Sequence, residues 1–259
     1  MPTIPIDGGQ LYYEVAGDPA NPPLVLSHSL GTGLAMWEPQ MAEFSKRYRV
    51  VRYDMRGHGK SSAPTGDYSM AMLAQDALAL FEALGIERAD WCGLSMGGMI
   101  GMWIASHAPQ RFRRAVLANT AAISPTVEMW NGRIATVMSQ GTAALLAGAI
   151  DRWFTKEFQA RHPEIVKRTS ALLLATPPQG YAGACVANRD MDQREAIRKI
   201  TLPCLVIVGE QDRGAPPEFG RDIHARIPGS KLVSLDAAHL SNAEQPALFT
   251  KAVLDFLAG

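Results

Sequence analysis

The residues best suited to chemistry in this chain are a serine, an aspartate and a histidine spaced far apart. Ser95 lies in Gly93-Leu94-Ser95-Met96-Gly97-Gly98, between an apolar strand pattern and a helical one. A Gly-x-Ser-x-Gly run in that setting puts the serine on a strained turn that lifts its hydroxyl above a sheet. Small neighbours are needed there because strand and helix pass very close together. The N-terminal end of the following helix also places its positive dipole end near any developing oxyanion. A serine hydroxyl needs a neighbouring base before it attacks a carbonyl, and the chain has six histidines. His58 and His107 read as loop-bracing or surface residues, and His162 and His224 as solvated ones. His28 ends a strand ahead of the serine, in the loop expected to supply an oxyanion donor. His239 follows the last strand pattern, just before the last helix, and is the expected base. The strand pattern Cys204 to Val208 runs into Gly209-Glu210-Gln211-Asp212-Arg213. Asp212 lies deeper in that loop than Glu210 and can turn back to hold the imidazole in one tautomer. Asp236, close to His239 in sequence, is expected only to brace its loop.

Those residues need a frame. Strand patterns are expected at Leu11 to Val15 (an antiparallel edge strand), Leu24 to Ser27, Tyr48 to Tyr53, Asp90 to Leu94 and Arg114 to Leu117. Helices are expected around Gln40 to Ser45, over Tyr68 to Leu84 with Gly85 as its cap, and over Gly97 to His107. Such alternation implies a mostly parallel sheet with helices on both faces. The alternation lapses from about residue 123 to 199, where only helices are expected: Met129 to Gln140, Thr142 to Phe154, Pro163 to Leu174 and Gly180 to Ala187. It resumes with Cys204 to Val208, a helix near Pro217 to Ile227, the strand Lys231 to Ser234 and a helix over Ala243 to Leu257. The expected organisation is therefore a core of residues 1–122 and 200–259, with a helical cap at 123–199 inserted before the last two strands. A cap placed there would lie over the C-terminal ends of the strands, where ligands bind in such sheets.

Composition narrows the function classes. With 259 residues the chain can bury nearly three quarters of its extended surface, enough for one large core. Apolar residues make up 47% and charged residues 19%, which excludes a disordered chain. Lys plus Arg number 25 and Asp plus Glu 25, so no charge excess favours nucleic acid or an anionic membrane. Cys92, Cys185 and Cys204 fit no disulfide, metal or redox spacing and read as buried thiols of a reducing compartment. Met1 to Gln10 lacks the pattern of a signal peptide, and the apolar runs are too short to span a bilayer. A cytoplasmic enzyme without metal or cofactor is expected.

The chain order Ser95, Asp212, His239 is that of the α/β-hydrolases. The loop His28-Ser29-Leu30-Gly31-Thr32 would then give one oxyanion N–H from Leu30, and the residue after the nucleophile, Met96, would give the other. More narrowly, the chain resembles bacterial 3-oxoadipate enol-lactonases over nearly its whole length. The resemblance rests on Leu26 to Thr32, Val51 to Gly59 with its Arg-Gly-His-Gly, Cys92 to Gly101 and Ala118-Asn119-Thr120-Ala121-Ala122. Trp130, Arg133 and Arg152-Trp153-Phe154-Thr155 extend it into the cap. One departure is His28, where such lactonases have Asn, beside the loop that sets oxyanion geometry. The resemblance implies opening of a small anionic enol-lactone through an acyl-enzyme. That substrate's carboxylate needs a cationic partner. Arg133, which can share a helical face with Trp130, either anchors it or is a solvated cap residue. Trp130 and Trp153 are either pocket walls or cap core, while the Leu30 and Met96 side chains can help line the site. The same triad would serve a general carboxylesterase or a cofactor-free haloperoxidase-like hydrolase. A receptor-like binding protein on this scaffold is the reading from a different class.

Overall fold

The chain folds around runs of Val, Leu, Ile and Ala that cannot face water on either side. In a computed structural model, which describes residues 2–124 and 126–259, these runs form an eight-stranded sheet. The strands are β1 (Thr3–Ile6), β2 (Gly9–Ala16), β3 (Pro23–Ser27), β4 (Arg49–Tyr53), β5 (Ala89–Leu94), β6 (Phe112–Ala118), β7 (Cys204–Gly209) and β8 (Lys231–Leu235). Their spatial order is β1-β2-β4-β3-β5-β6-β7-β8. β1 and β2 form an antiparallel hairpin, β2 pairs antiparallel with β4, and the remaining pairings are parallel. Every residue of β5 and of β7 is buried, as expected for central parallel strands covered on both faces.

The helices that cover the sheet are α1 (Glu38–Phe44), α2 (Met70–Ala83), α3 (Met96–His107), α9 (Pro217–Arg226) and α11 (Pro246–Ala258). α2 shows the local logic. The Ser69 hydroxyl caps its start by accepting from the Met72 amide, and Leu73, Ala77, Leu80 and Phe81 form its buried stripe. Between β6 and β7 lie α4 (Val127–Gln140), α5 (Leu146–Trp153), α6 (Lys156–Arg161), α7 (Pro163–Ala175) and α8 (Pro178–Arg189). No strand interrupts this insertion among its described residues; Pro125, within the expected cap, lies outside them.

Three expectations need correction. The edge strand is β1, not the segment Leu11 to Val15, which lies in β2 and pairs on both sides. A four-residue strand containing Pro5 carries too little alternation to be recognised alone. The expected helix Thr142 to Phe154 begins as a separate 3-10 turn at Thr142–Leu145 before α5. The terminal helix is two pieces, α10 (Ser241–Glu244) and α11. Pro246 opens the second piece, where its missing N–H costs nothing.

Candidate active site

Five loops leave the C-terminal edge of the sheet after β3, β5, β6, β7 and β8, and they carry Leu30, Ser95, Asn119, Asp212 and His239 in turn. Ser95 caps α3 with φ +56° and ψ −116°, a conformation that costs a non-glycine residue about 1–3 kcal/mol. Neighbouring groups hold it there. Its N–H donates to the Ala118 carbonyl at 2.8 Å, and its own carbonyl accepts from the Thr120 hydroxyl at 2.7 Å. Gly97 is required by close approach, since a Cβ there would strike the Ser27 carbonyl.

His239 Nδ1 lies 2.9 and 3.0 Å from the two oxygens of Asp212. An ionised carboxylate only accepts, so Nδ1 carries the proton and Nε2 presents its lone pair. Asp212 is buried, and its charge is well compensated. Oδ1 accepts from the amides of Gly214 and Ala215 at 2.7 and 2.9 Å, and Oδ2 from the Asn119 side chain at 3.1 Å. Asn119 itself has φ +46° and accepts from the Ser241 hydroxyl at 2.5 Å. Glu210 instead pairs with Arg221 at the surface, and Asp236 accepts from Gln211, the bracing role expected of it. Ser29 Oγ, a buried hydroxyl to which the sequence assigned no role, lies 3.5 Å from Nε2.

The backbone of the β3 loop and of the serine turn is almost fully committed. Ser29 N–H faces the Met36 sulfur, Gly31 N–H donates to His58 Nε2 at 3.0 Å, and Thr32 N–H to the Ser29 carbonyl at 3.1 Å. On the serine turn, Ser95 N–H is taken as above and Gly97 N–H donates to the His28 carbonyl at 3.0 Å. Neither the Leu30 nor the Met96 amide has a protein acceptor among the described residues, and these are the two an oxyanion would need.

Two buried histidines brace this arrangement. His28 Nδ1–H donates to the Ser29 carbonyl at 2.8 Å, while Nε2 accepts from the Met55 amide at 2.9 Å. Burial lowers its pKa to about 4, so the ring is neutral. His58 is also buried, and its pKa is lowered to about 3 by burial and then by His28. Both nitrogens of each ring are engaged in holding backbone. His58 is thus the loop brace that its sequence position suggested.

Ser95 and His239 open onto one cavity of about 270 Å³. Trp130, Arg133 and Trp153 all line it, so the three cap residues singled out in the sequence are brought to the site. Leu30 also lines it, but the Met96 side chain does not and is fully buried; Met99 takes that place. The guanidinium of Arg133 stacks over Trp130 at 4.6 Å from the ring centroid. Arg152, known from the sequence only as part of the resemblance, also lines the wall, as do Arg213, Tyr181 and Asn188, which the sequence did not single out. Three arginines and no Asp or Glu line the cavity, and none of the three lies within 4 Å of a carboxylate among the described residues. The site therefore pairs a serine and a histidine with a cationic, partly aromatic wall.

That geometry, on this sheet order, can be set against known proteins. The family model described as alpha/beta hydrolase fold matches residues 22–246. The chain belongs to the α/β-hydrolase family. This hydrolase is 42% identical over 243 residues to 3-oxoadipate enol-lactonase 2 of Acinetobacter baylyi, covering 94% of this chain and 91% of that protein. The crystal structure of the enol-lactonase from Burkholderia xenovorans superposes with a TM-score of 0.98 at 41% identity, covering 100% of both chains. A thermophilic esterase from Thermogutta terrifontis, solved with malate bound, is similar at a TM-score of 0.91 and 29% identity over 96% of this chain and 93% of that one. Among the described residues of this hydrolase no helix is long and apolar enough to cross a membrane.

Proposed function

We propose that this hydrolase opens 3-oxoadipate enol-lactone to 3-oxoadipate through an acyl-enzyme on Ser95. The observation that carries the reading is the single cavity in which Ser95 and His239 meet three arginines without one acidic residue. A neutral ester would gain nothing from such a wall, whereas a lactone bearing a carboxylate is drawn to it and oriented by it. In this reading the helical insertion, 123–199, is a cap over the core. Trp130 and Trp153 flank the ring, and Arg133 is one of the arginines that face the carboxylate.

The steps follow from the geometry. His239 Nε2 takes the Ser95 proton as Oγ attacks the lactone carbonyl, and Asp212 holds the resulting imidazolium. The Leu30 and Met96 amides receive the oxyanion. Collapse breaks the acyl–oxygen bond of the ring, and the departing oxygen takes the proton from His239 to give an enol that tautomerises to the ketone. Neutral His239 then removes a proton from water as the water attacks the acyl carbon, and returns that proton to Ser95 Oγ as the ester bond breaks. No redox or electrophilic group beyond these residues enters the sequence. Three buried free thiols suit a cytoplasmic setting.

The test is turnover of the enol-lactone by the purified protein, with the 3-oxoadipate formed measured directly and the acyl adduct on Ser95 trapped for mass spectrometry. p-Nitrophenyl acetate, and halide with peroxide, run alongside. Fast enol-lactone opening with the adduct on Ser95 supports the reading. Preference for the neutral ester would make this a general carboxylesterase, and halogenation without lactone opening a haloperoxidase. Absence of turnover on all three would leave the receptor-like reading.

A further inference from the structure

We propose that Arg152 is the principal carboxylate anchor of this cavity, with Tyr181 and Arg133 beside it as supporting groups. The claim refines the substrate side of the enol-lactonase reading and rests on it for the identity of the anion.

Arg152 sits in the last turn of α5 and reaches the cavity half-buried. Its side chain folds back over Gly148, one turn earlier, with Nη1 3.2 Å from where a Gly148 Cβ would stand. Among the described residues it has neither a side-chain hydrogen bond nor a carboxylate within 4 Å. Several other buried or half-buried arginines of this protein are paired with carboxylates, although Arg114, away from the cavity, is not. Arg56 is bidentate on Asp76 at 2.5 and 2.6 Å, Arg52 meets Glu14 and Glu38, Arg113 meets Asp90 and Arg226 meets Asp222. A half-buried guanidinium on the cavity wall that keeps its proton and has no acceptor of its own is open to an anion.

The neighbours sharpen the imbalance. Burial pushes the Arg152 pKa down, and the charges of Arg133 and Arg213 push it further. Tyr181, buried and raised to about 12 chiefly by burial, lies close enough to feel both Arg133 and Arg152. Arg133 already rests one face on Trp130, so an anion brings it less than it brings Arg152. On the same wall, the buried side-chain oxygen of Asn188 also lacks a hydrogen-bond partner among the described residues. A wall left this unsatisfied is completed by an anionic, hydrogen-bonding ligand.

The backbone fixes where that anion sits relative to the reacting atoms. The Arg152 carbonyl accepts the His239 N–H at 3.3 Å, and the Trp153 carbonyl accepts the Leu240 N–H at 3.0 Å. The Glu244 carboxylate ties the same two segments, accepting from the Thr155 amide and hydroxyl at 2.7 and 2.9 Å and from the Ala238 amide. The end of α5 and the histidine loop therefore move as one piece. A carboxylate held on Arg152 is registered to His239, whereas Arg133 sits on a different helix.

The decisive comparison uses Arg152→Met, Arg152→Lys and Arg133→Met, each assayed with the enol-lactone and with its neutral methyl ester. For Arg152→Met, kcat/KM on the carboxylated lactone is expected to fall about 30-fold, mostly through KM, with less than about a threefold change on the methyl ester. Arg152→Lys should recover part of that loss, and Arg133→Met should lose less. Adipate binding to the Ser95→Ala protein, followed by calorimetry, is read separately and should weaken by a similar factor on adding Arg152→Met. Without ligand, Arg152→Met should also melt higher than the parent, because an unpaired half-buried charge has been removed. Unchanged adipate affinity, or lactone discrimination that survives Arg152→Met but disappears in Arg133→Met, overturns the assignment. Adipate binding that depends on Arg152 in a protein that ignores the enol-lactone would uphold the anchor and refute the enol-lactonase reading.

Discussion

The loops at the C-terminal edge of the sheet and the helical wall facing them treat polar groups in opposite ways. In the loops nearly every donor and acceptor is matched. Asp212 accepts from two amides, an asparagine and an imidazole; His28 and His58 each use both ring nitrogens; and the two amides suited to an oxyanion stay open. In the wall, among the described residues, Arg133, Arg152 and Arg213 lack carboxylate partners and the Asn188 oxygen has no donor. The difference teaches a division of labour. In the proposed mechanism, the groups that act on the bond are those held in place by many partners, as electrostatic preorganisation requires. The groups proposed to recognise the substrate are those left incomplete, so that the correct ligand would complete them.

The largest effects should fall on the matched side. Ser95→Ala and His239→Ala are each expected to lower kcat by about 10⁴-fold or more with little change in adipate affinity. A variant of either kind that keeps near-parental hydrolysis would remove the loops from the chemistry. Next comes Asn119→Ala, which deletes one donor to Asp212. Loss of a hydrogen bond to a charged group predicts a fall of about 10–100-fold, in kcat rather than KM. An effect confined to KM would place Asn119 with the recognition wall. On the unmatched side, Arg133→Met should raise KM for the carboxylated lactone by about fivefold while leaving the methyl ester nearly unchanged. Equal shifts for both substrates would make it a packing residue.

How much of this was legible in sequence follows the same division. The places of Ser95, Asp212 and His239 at one edge of the sheet could be read because strand ends, chain order and a glycine-bounded turn fix them locally. Leu30 and Met96 followed from the same frame, although which amides stay open depends on partners such as His58 and Met36, far from them in sequence. Asn119 stood in a recognised stretch, yet nothing local showed that its side chain reaches Asp212 across 93 residues. Arg152 was the hardest to see. A basic residue in a helical last turn ordinarily faces water near the C-terminal dipole. Only the packing of α5 on the histidine loop turns it inward. The proline-containing strand β1 and the break before Pro246 were missed because short elements carry too little periodicity.

The smallest expected effect concerns pH and the braces. His28 keeps a neutral ring in the fold with its pKa lowered to about 4 by burial, against an ordinary value of 6.5. The unfolded chain therefore binds a proton that the folded chain refuses, so the stability His28 contributes is present above pH 6.5 and drains away as pH falls toward 4. Thermal melts between pH 7.5 and 4.5 should show a falling Tm. The fall should be shallower in His28→Asn, which carries no titrating ring. Parallel curves for the two proteins would mean that His28 is not the proton-refusing group.

The most direct measurement is the ratio of kcat/KM for the carboxylated enol-lactone to that for its neutral methyl ester in the unaltered protein. A cationic wall waiting for an anion predicts a ratio of at least about 30 in favour of the carboxylate. A ratio near one, or a preference for the neutral ester, would contradict the account.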